Sequence, residues 1–284
     1  MFRKVAIIGL GLMGGSLGMA IRQKIPVIEV WGVEKRQTVI KQAFLKGAID
    51  QGTQDLAQGI TNADLIFLAV PLAEMLKICK QMKPDLKLGA LVSDLGSVKG
   101  NLVPLLEKCL APGAFFIGGH PMTGSERSGI EAASAALWEN AVHILTPTKE
   151  THPEKLAILS AFWEKIGVRV VLLTPEKHDQ QVALVSHLPH LVANVLLNLL
   201  EPEEPFLGAG SWRDLTRIGD SSPDLWLEIL SSNKQALLAV IEQFQNKLAL
   251  YKQCLTNDDL RCLRNLLLEA RVNRDKIKTQ EIKI

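Results

Sequence analysis

Residues able to do chemistry cluster in a few short stretches. Gly118-Gly119-His120-Pro121-Met122-Thr123-Gly124-Ser125-Glu126 sets one imidazole behind the apolar run Phe115-Phe116-Ile117. A strand that ends in Gly-Gly and turns at Pro121 presents His120 at its C-terminal edge, where open α/β sheets bind ligands. A backbone this rich in glycine can approach a ligand closely. The competing reading is a surface loop with an incidental histidine. Gly9-Leu10-Gly11-Leu12-Met13-Gly14 follows the apolar run Val5–Ile8 and opens a helical stretch to about Arg22. In that context G-x-G-x-x-G binds a dinucleotide. Gly9 makes the tight turn, Gly11 lets the backbone meet a pyrophosphate, and Gly14 lets the helix pack on the strand. Glu34 lies twenty residues beyond Gly14, where a carboxylate accepts hydrogen bonds from a ribose diol and repels a 2′-phosphate. That favours NAD. Lys35 and Arg36 could instead pair with that phosphate, which keeps NADP as the alternative.

Further polar residues sit at other element ends. Val70-Pro71 closes a strand beside the presumed nucleotide. Asp94-Leu95-Gly96-Ser97-Val98-Lys99 closes another, and Ser97 is either a helix N-cap or a hydroxyl between a nicotinamide and a substrate. His187 and His190, three apart, share a helical face around Pro189, which removes one backbone hydrogen bond and predicts a kink. Asp214 and Arg217 can pair on one face of a later helix. His143 reads as a core or edge histidine. His152 and His178 lie in polar stretches, read as exposed and receive no role.

The elements that must position these groups alternate. Strands are predicted at Val5–Ile8, Ile28–Val33, Leu65–Val70, Ala90–Ser93, Val142–Leu145 and Val168–Leu172, with helices between them. The fold class is α/β: a doubly wound Rossmann-type nucleotide-binding domain over residues 1–173, followed by an all-α dimerisation domain over 174–284. Thr174-Pro175 starts the helical part, Ser222-Pro223 starts a helix expected to run to about Lys252, and a last helix covers about Asp258–Arg271. The charged end from Arg274 is expected to fray. Lys+Arg 32 against Asp+Glu 30 leaves a net charge of +2, which gives no footprint for nucleic acid. No apolar run reaches the ~18 residues of a membrane span. Four scattered cysteines read as thiols rather than disulfides, and no signal peptide precedes the first strand, so a cytoplasmic protein is expected. The apolar helical part predicts a homodimer.

Taken together and in order, the Gly9 motif, the Ser97 turn, Gly118–Glu126, Ser186-His187-Leu188-Pro189-His190 and Arg213-Asp214-Leu215-Thr216-Arg217 closely resemble the prephenate/arogenate dehydrogenase family of tyrosine biosynthesis. The resemblance runs from Lys4 to about Arg271. It implies oxidative decarboxylation, with hydride passing from C4 of a cyclohexadiene to the nicotinamide. It implies that His120 takes the proton of the 4-hydroxyl and that Ser97 bridges His120, hydroxyl and nicotinamide. Arg217 would clamp the ring carboxylate, positioned by Asp214, and His187 would contact the side chain. Ser125 and Glu126 would line the entrance, and Trp226 would reach the partner subunit's site. A β-hydroxyacid dehydrogenase or imine reductase shares the glycine-rich start, but those place a catalytic lysine on the first helix of the second domain, and none occurs between His178 and Leu200. A non-catalytic nucleotide-binding module would not need His120 and Arg217 together.

Overall fold

The computed structural model describes residues 2–125, 127–201 and 207–282. Among them, β1 (Lys4–Ile8), β2 (Glu29–Val33), β3 (Gln51–Thr53), β4 (Leu65–Leu68), β5 (Leu91–Asp94), β6 (Phe115–Pro121), β7 (Val142–Thr146) and β8 (Arg169–Leu172) form one sheet. Its order is β3-β2-β1-β4-β5-β6-β7-β8. Neighbours are parallel except β6 and β7, which run antiparallel. The helices α1 (Leu12–Lys24), α2 (Gln37–Leu45), α3 (Leu56–Ile60), α4 (Leu72–Met82), α5 (Leu102–Leu110) and α6 (Pro153–Ile166) pack around it. Along β1 the side chains alternate between two cores: Val5 and Ile7 join one with Leu17, Phe67 and Trp163, while Ala6 and Ile8 join another with Ile66, Met75 and Val103. A sheet covered on both faces needs apolar residues at every position, so its strands read as unbroken apolar runs.

Strand order reverses between β1 and β4, which opens the ligand crevice outside their C-terminal ends. Gly9 sits there at φ +94°, and a Cβ on it would stand 2.3 Å from the Ala69 carbonyl oxygen. β6 differs from expectation. It continues through His120 and Pro121, which pair with Ile144 and His143 of β7, and turns only afterwards. Pairing with β5 ends at Ser93–Ile117, so β6 outruns β5 by several residues. The Gly119 N–H left without a strand partner donates to Asp94 Oδ1 at 3.0 Å. Glycine is required here, because a Cβ on Gly119 would lie 2.7 Å from the Asp94 carbonyl oxygen and from His143 Nε2. His143 itself stacks on Trp163 at 3.8 Å in the core.

Beyond β8 come α7 (Pro175–Val182), α8 (Leu188–Asn198), α9 (Gly210–Thr216), α10 (Pro223–Ser232), α11 (Lys234–Thr256) and α12 (Leu260–Ile282). Thr174 caps α7 by accepting the Lys177 N–H. Residues Ala183–His187 between α7 and α8 form one π turn, closed by the Leu188 N–H on the Ala183 carbonyl. The wider turn accommodates the donor missing at Pro189, and the chain continues as helix beyond it. The helix expected from Ser222 to Lys252 breaks at Asn233, whose side chain is used elsewhere. The final helix continues to Ile282, since no Gly or Pro follows Arg271 to stop it. By backbone contacts Met1–Lys234 is one compact unit and Gln235–Ile284 a second. Within the second, Cys254 and Cys262 form a disulfide, contrary to the expected free thiols, because the reversal between α11 and α12 brings them together. Among the described residues no helix is long and apolar enough to cross a membrane.

Candidate active site

Where β5 ends, Asp94 points into the sheet edge and meets Lys99 five residues on. Both side chains are fully buried and paired. Asp94 Oδ1 accepts the Gly119 N–H and Oδ2 accepts the Gly96 N–H, at 3.0 and 2.9 Å. Burial pushes the Lys99 amine below its ordinary range, and the Asp94 and Asp179 carboxylates oppose that. The Lys99 stem needs room beside β6: a Cβ on Gly118 would stand 3.3 Å from its Cδ and 2.3 Å from Thr146 Oγ1. The Gly118-Gly119 pair thus lets β6 pass close to its neighbours on β5, α5 and β7, with the Lys99 stem alongside.

His120 follows on β6 and is 8% exposed. Its Nδ1 lies 2.7 Å from His178 Nε2, and His178 Nδ1 lies 2.7 Å from Asp179 Oδ1. Asp179 also accepts the Lys99 N–H on Oδ1 at 2.9 Å and the Gly100 N–H on Oδ2 at 2.7 Å. The Asn233 amide donates to the Asp179 carbonyl at 2.8 Å and faces His187 Nδ1 at 3.2 Å. Trp226 stacks on His190 at 3.5 Å between ring centroids and meets His187 edge-on at 6.0 Å. Burial holds His120 well below the usual imidazole range, and His178 and Lys99 add to it. Burial lowers His178 too, against the pull of Asp179. His187 is pushed down to about 4, again chiefly by burial. All three are neutral at pH 7, so these imidazoles hold lone pairs rather than charges.

The glycine turn fits a dinucleotide. Gly9 and Gly14 are demanded by protein atoms, since a Cβ on Gly14 would lie 2.0 Å from the Gly9 oxygen. A Cβ on Gly11 would meet nothing within 4 Å, so open space lies in front of it. The α1 N-terminus has no side-chain cap and no acid in its first turn, which leaves N–H groups and the positive dipole end for a phosphate. Leu12 and Met13 form that first turn. Glu34, at the end of β2, accepts the Leu10 N–H at 3.3 Å and the Arg36 N–H and Nε at 3.2 Å. Arg36 therefore pairs with Glu34, while Lys35 reaches Glu74 at 3.9 Å. Val70 and Pro71 lead from β4 into α4 beside Gly9.

The structure links His120 to His187 through His178, Asp179 and Asn233, and brings Trp226 against His187 and His190 in the same chain. Ser97 is half-buried in the loop that carries Lys99; it does not cap α5, which starts at Leu102 with Asn101 before it. Ser125, Asp214 and Arg217 stand at exposed positions, and Ser125 Oγ accepts the Arg127 N–H. Glu126 lies outside the described residues. The expectation that His178 is exposed is wrong: it is fully buried, because α7 sets its ring against His120 of β6 and seats Asp179 on the Lys99 and Gly100 amides. Asp94, Lys99, His178, Asp179 and Asn233 escaped the reading of the sequence. Asp179, Ala183 and His187 at helical spacing were the available sign of a buried polar face.

Family models match almost the entire chain: the prephenate dehydrogenase nucleotide-binding domain over residues 17–172 and the prephenate dehydrogenase dimerization domain over 174–269. A cyclohexadienyl dehydrogenase of Zymomonas mobilis is 34% identical over 98% of this chain and 97% of its own length. The crystal structure of prephenate dehydrogenase from A. aeolicus in complex with hydroxyphenyl propionate and NAD+ is 34% identical, with TM-score 0.90, over 98% of this chain and 99% of that one. Synechocystis arogenate dehydrogenase is 32% identical, with TM-score 0.84, over 96% and 99%.

Lys99→Met keeps an aliphatic stem but leaves the buried Asp94 carboxylate to two backbone N–H groups. We expect a loss of ~3–5 kcal/mol, read as a lower midpoint in urea unfolding. An unchanged midpoint would show that the pair does not hold this edge together.

Proposed function

The chain belongs to the prephenate dehydrogenase family, and from that premise we propose that it converts prephenate to 4-hydroxyphenylpyruvate by oxidative decarboxylation in tyrosine biosynthesis. NAD, when bound, supplies the hydride acceptor. The observation that carries the reading is His120, neutral and buried on the same C-terminal sheet edge as the Gly9–Gly14 turn. There it would accept the proton of the substrate's 4-hydroxyl as hydride leaves C4, and hold it while CO₂ departs and the ring becomes aromatic. Gly9, Gly11 and Gly14, with the α1 N-terminus, would cradle the pyrophosphate, and Glu34 the adenosine ribose. Glu34 already engages the Arg36 side chain, which supports NAD over NADP. Ser97 would orient the hydroxyl, Arg217 would bind the ring carboxylate with Asp214 beside it, and Ser125 and Glu126 would line the entrance.

His187 favours prephenate over arogenate. The Asn233 amide must point its NH₂ at the Asp179 carbonyl, and that same NH₂ faces His187 Nδ1. A neutral His187 then accepts at Nδ1 and carries its proton on Nε2. An N–H donor suits the 2-keto oxygen of prephenate better than the ammonium of arogenate. In the same reading residues 1–173 bind the dinucleotide, and residues 174–284 complete the substrate site and pair two chains into a homodimer. Exposed apolar side chains such as Leu238, Phe244, Leu248, Leu267 and Val272 on the helices of the second part support that pairing. Trp226 stacks on its own chain's His190, so its proposed role is to wall the substrate pocket. A cytoplasmic setting belongs to the same reading; the Cys254–Cys262 bridge is the feature a reducing compartment would open.

A two-by-two assay of prephenate and arogenate against NAD and NADP, followed at 340 nm, should give the highest kcat/KM for prephenate with NAD. Turnover with neither substrate would overturn the activity. His120→Asn should lower kcat by ~10²-fold or more with little change in KM; near-normal kcat would remove His120 as the base. Arg217→Ala should cost ~2–5 kcal/mol in kcat/KM, mostly as raised KM; an unchanged KM would return Arg217 to a structural role.

A further inference from the structure

Two hydrogen bonds behind His120 decide which of its ring nitrogens can take a proton. Three N–H groups converge on the Asp179 carboxylate, from Lys99, Gly100 and the His178 ring. The two backbone groups can only donate, so Asp179 acts as acceptor and His178 Nδ1 carries the hydrogen between them. A neutral His178 is then left with a lone pair on Nε2. His120 Nδ1 stands 2.7 Å from that lone pair, and a contact so short needs one hydrogen between the nitrogens. That hydrogen sits on His120 Nδ1, which leaves the lone pair of His120 on Nε2.

We propose that His178 and Asp179 are positioning residues of the reaction: they hold His120 as its Nδ1–H tautomer and stabilise it once Nε2 has been protonated. The inference rests on His120 as the base. When Nε2 gains the substrate proton, the His120 Nδ1–H bond can break as an His178 Nε2–H bond forms. The positive charge then lies beside the Asp179 carboxylate, and no other reactant is needed. The rings meet edge to face at 4.9 Å and 67°, with His178 fully buried, so water does not compete for these bonds. His120 on β6 faces His178 of α7, Lys99 of the β5–α5 loop, His143 of β7 and His187 of the π turn, and His178 in turn faces the carboxylates of Asp179 and Asp94. Of these, the Asp179 carboxylate, bonded to His178, and Asp94 favour an imidazolium there, while burial and the Lys99 charge keep the resting rings neutral. Asp179 is itself locked to the loop that carries Ser97, through the Lys99 and Gly100 amides, and to α10 through Asn233. The relay therefore ties the base to both sequence regions expected to meet substrate.

The test uses the intact protein. Nitrogen-15 NMR of its imidazoles should show His120 protonated on Nδ1 and bare on Nε2 at pH 7. Observation of the Nε2–H tautomer would overturn the proposal. Asp179→Asn should lower kcat by at least ~10²-fold, because a wrongly protonated base is costly, with KM for both substrates within about two-fold. The acid limb of its kcat/KM profile should also move to lower pH, since the carboxylate that raises the imidazole affinity for protons is gone. A fall in rate with an unmoved limb would make Asp179 merely structural and overturn the relay. Should that variant fail to fold, the spectrum of the unaltered protein still decides the tautomer. Full activity in His120→Asn would instead defeat the base assignment while leaving the tautomer measurement to stand on its own.

Discussion

The Asp94–Lys99 pair lies at the junction of every element that builds the site. Two opposite charges without water are tolerated only when geometry is good and the remaining lone pairs are satisfied. Here Gly96 and Gly119 supply the donors, and the second of these is the N–H that β6 would otherwise leave orphaned once it outruns β5. The pair thus lets a strand extend past its neighbour and carry His120 beyond the sheet. It also fixes the loop whose Lys99 and Gly100 amides receive Asp179 from α7. A hydrophobic pair of equal volume could stabilise the fold as well, but it would offer no donor to place a strand end or a helix start. What the ion pair contributes is registry.

The same pair adds to the electrostatics of the buried histidines. Burial disfavours the protonation of His120, His143 and His178, and the buried Lys99 cation acts in the same direction. A base for proton transfer must begin unprotonated, and these histidines do. Asp179 works against that trend at His178, to which it is hydrogen-bonded, and at His187. These imidazoles are therefore neutral at rest and able to hold a positive charge on the side of Asp179, which is the asymmetry that general base catalysis requires.

Much of this was legible from residue order. The Gly9–Gly14 turn and Glu34 announce a nucleotide because each residue obeys a local rule of backbone conformation or spacing. The unbroken runs Val5–Ile8 and Leu65–Leu68 announce a sheet buried on both faces. Gly118-Gly119 draws attention to His120 as the start of a turn, but the structure gives these glycines another reason: they let β6 pass close to Thr146, Val103, His143 and the Asp94 backbone. What stayed hidden is long-range. His178 is polar, follows Lys177 and precedes Asp179, so local composition predicts exposure; only the docking of α7 on the sheet edge buries it. The break at Asn233 has no glycine or proline to announce it, because the residue ends a helix in order to place its amide between Asp179 and His187.

That contrast explains why the helical residues 174–233 join the same compact unit as the sheet. A Rossmann sheet alone leaves its strand ends open to water, where an imidazole would be solvated and free to adopt either tautomer. Burying His120 needs a cover, and an apolar cover would leave its Nδ1 unsatisfied at a cost of ~1–3 kcal/mol. The cover therefore carries His178 at the contact point, Asp179 behind it and Asn233 behind that, each bonded to the next. The chain of hydrogen bonds ends at backbone groups of the β5–α5 loop, which are already held by the buried ion pair. Sheet and helices are joined at this edge by these bonds, and His120 stands where the two meet.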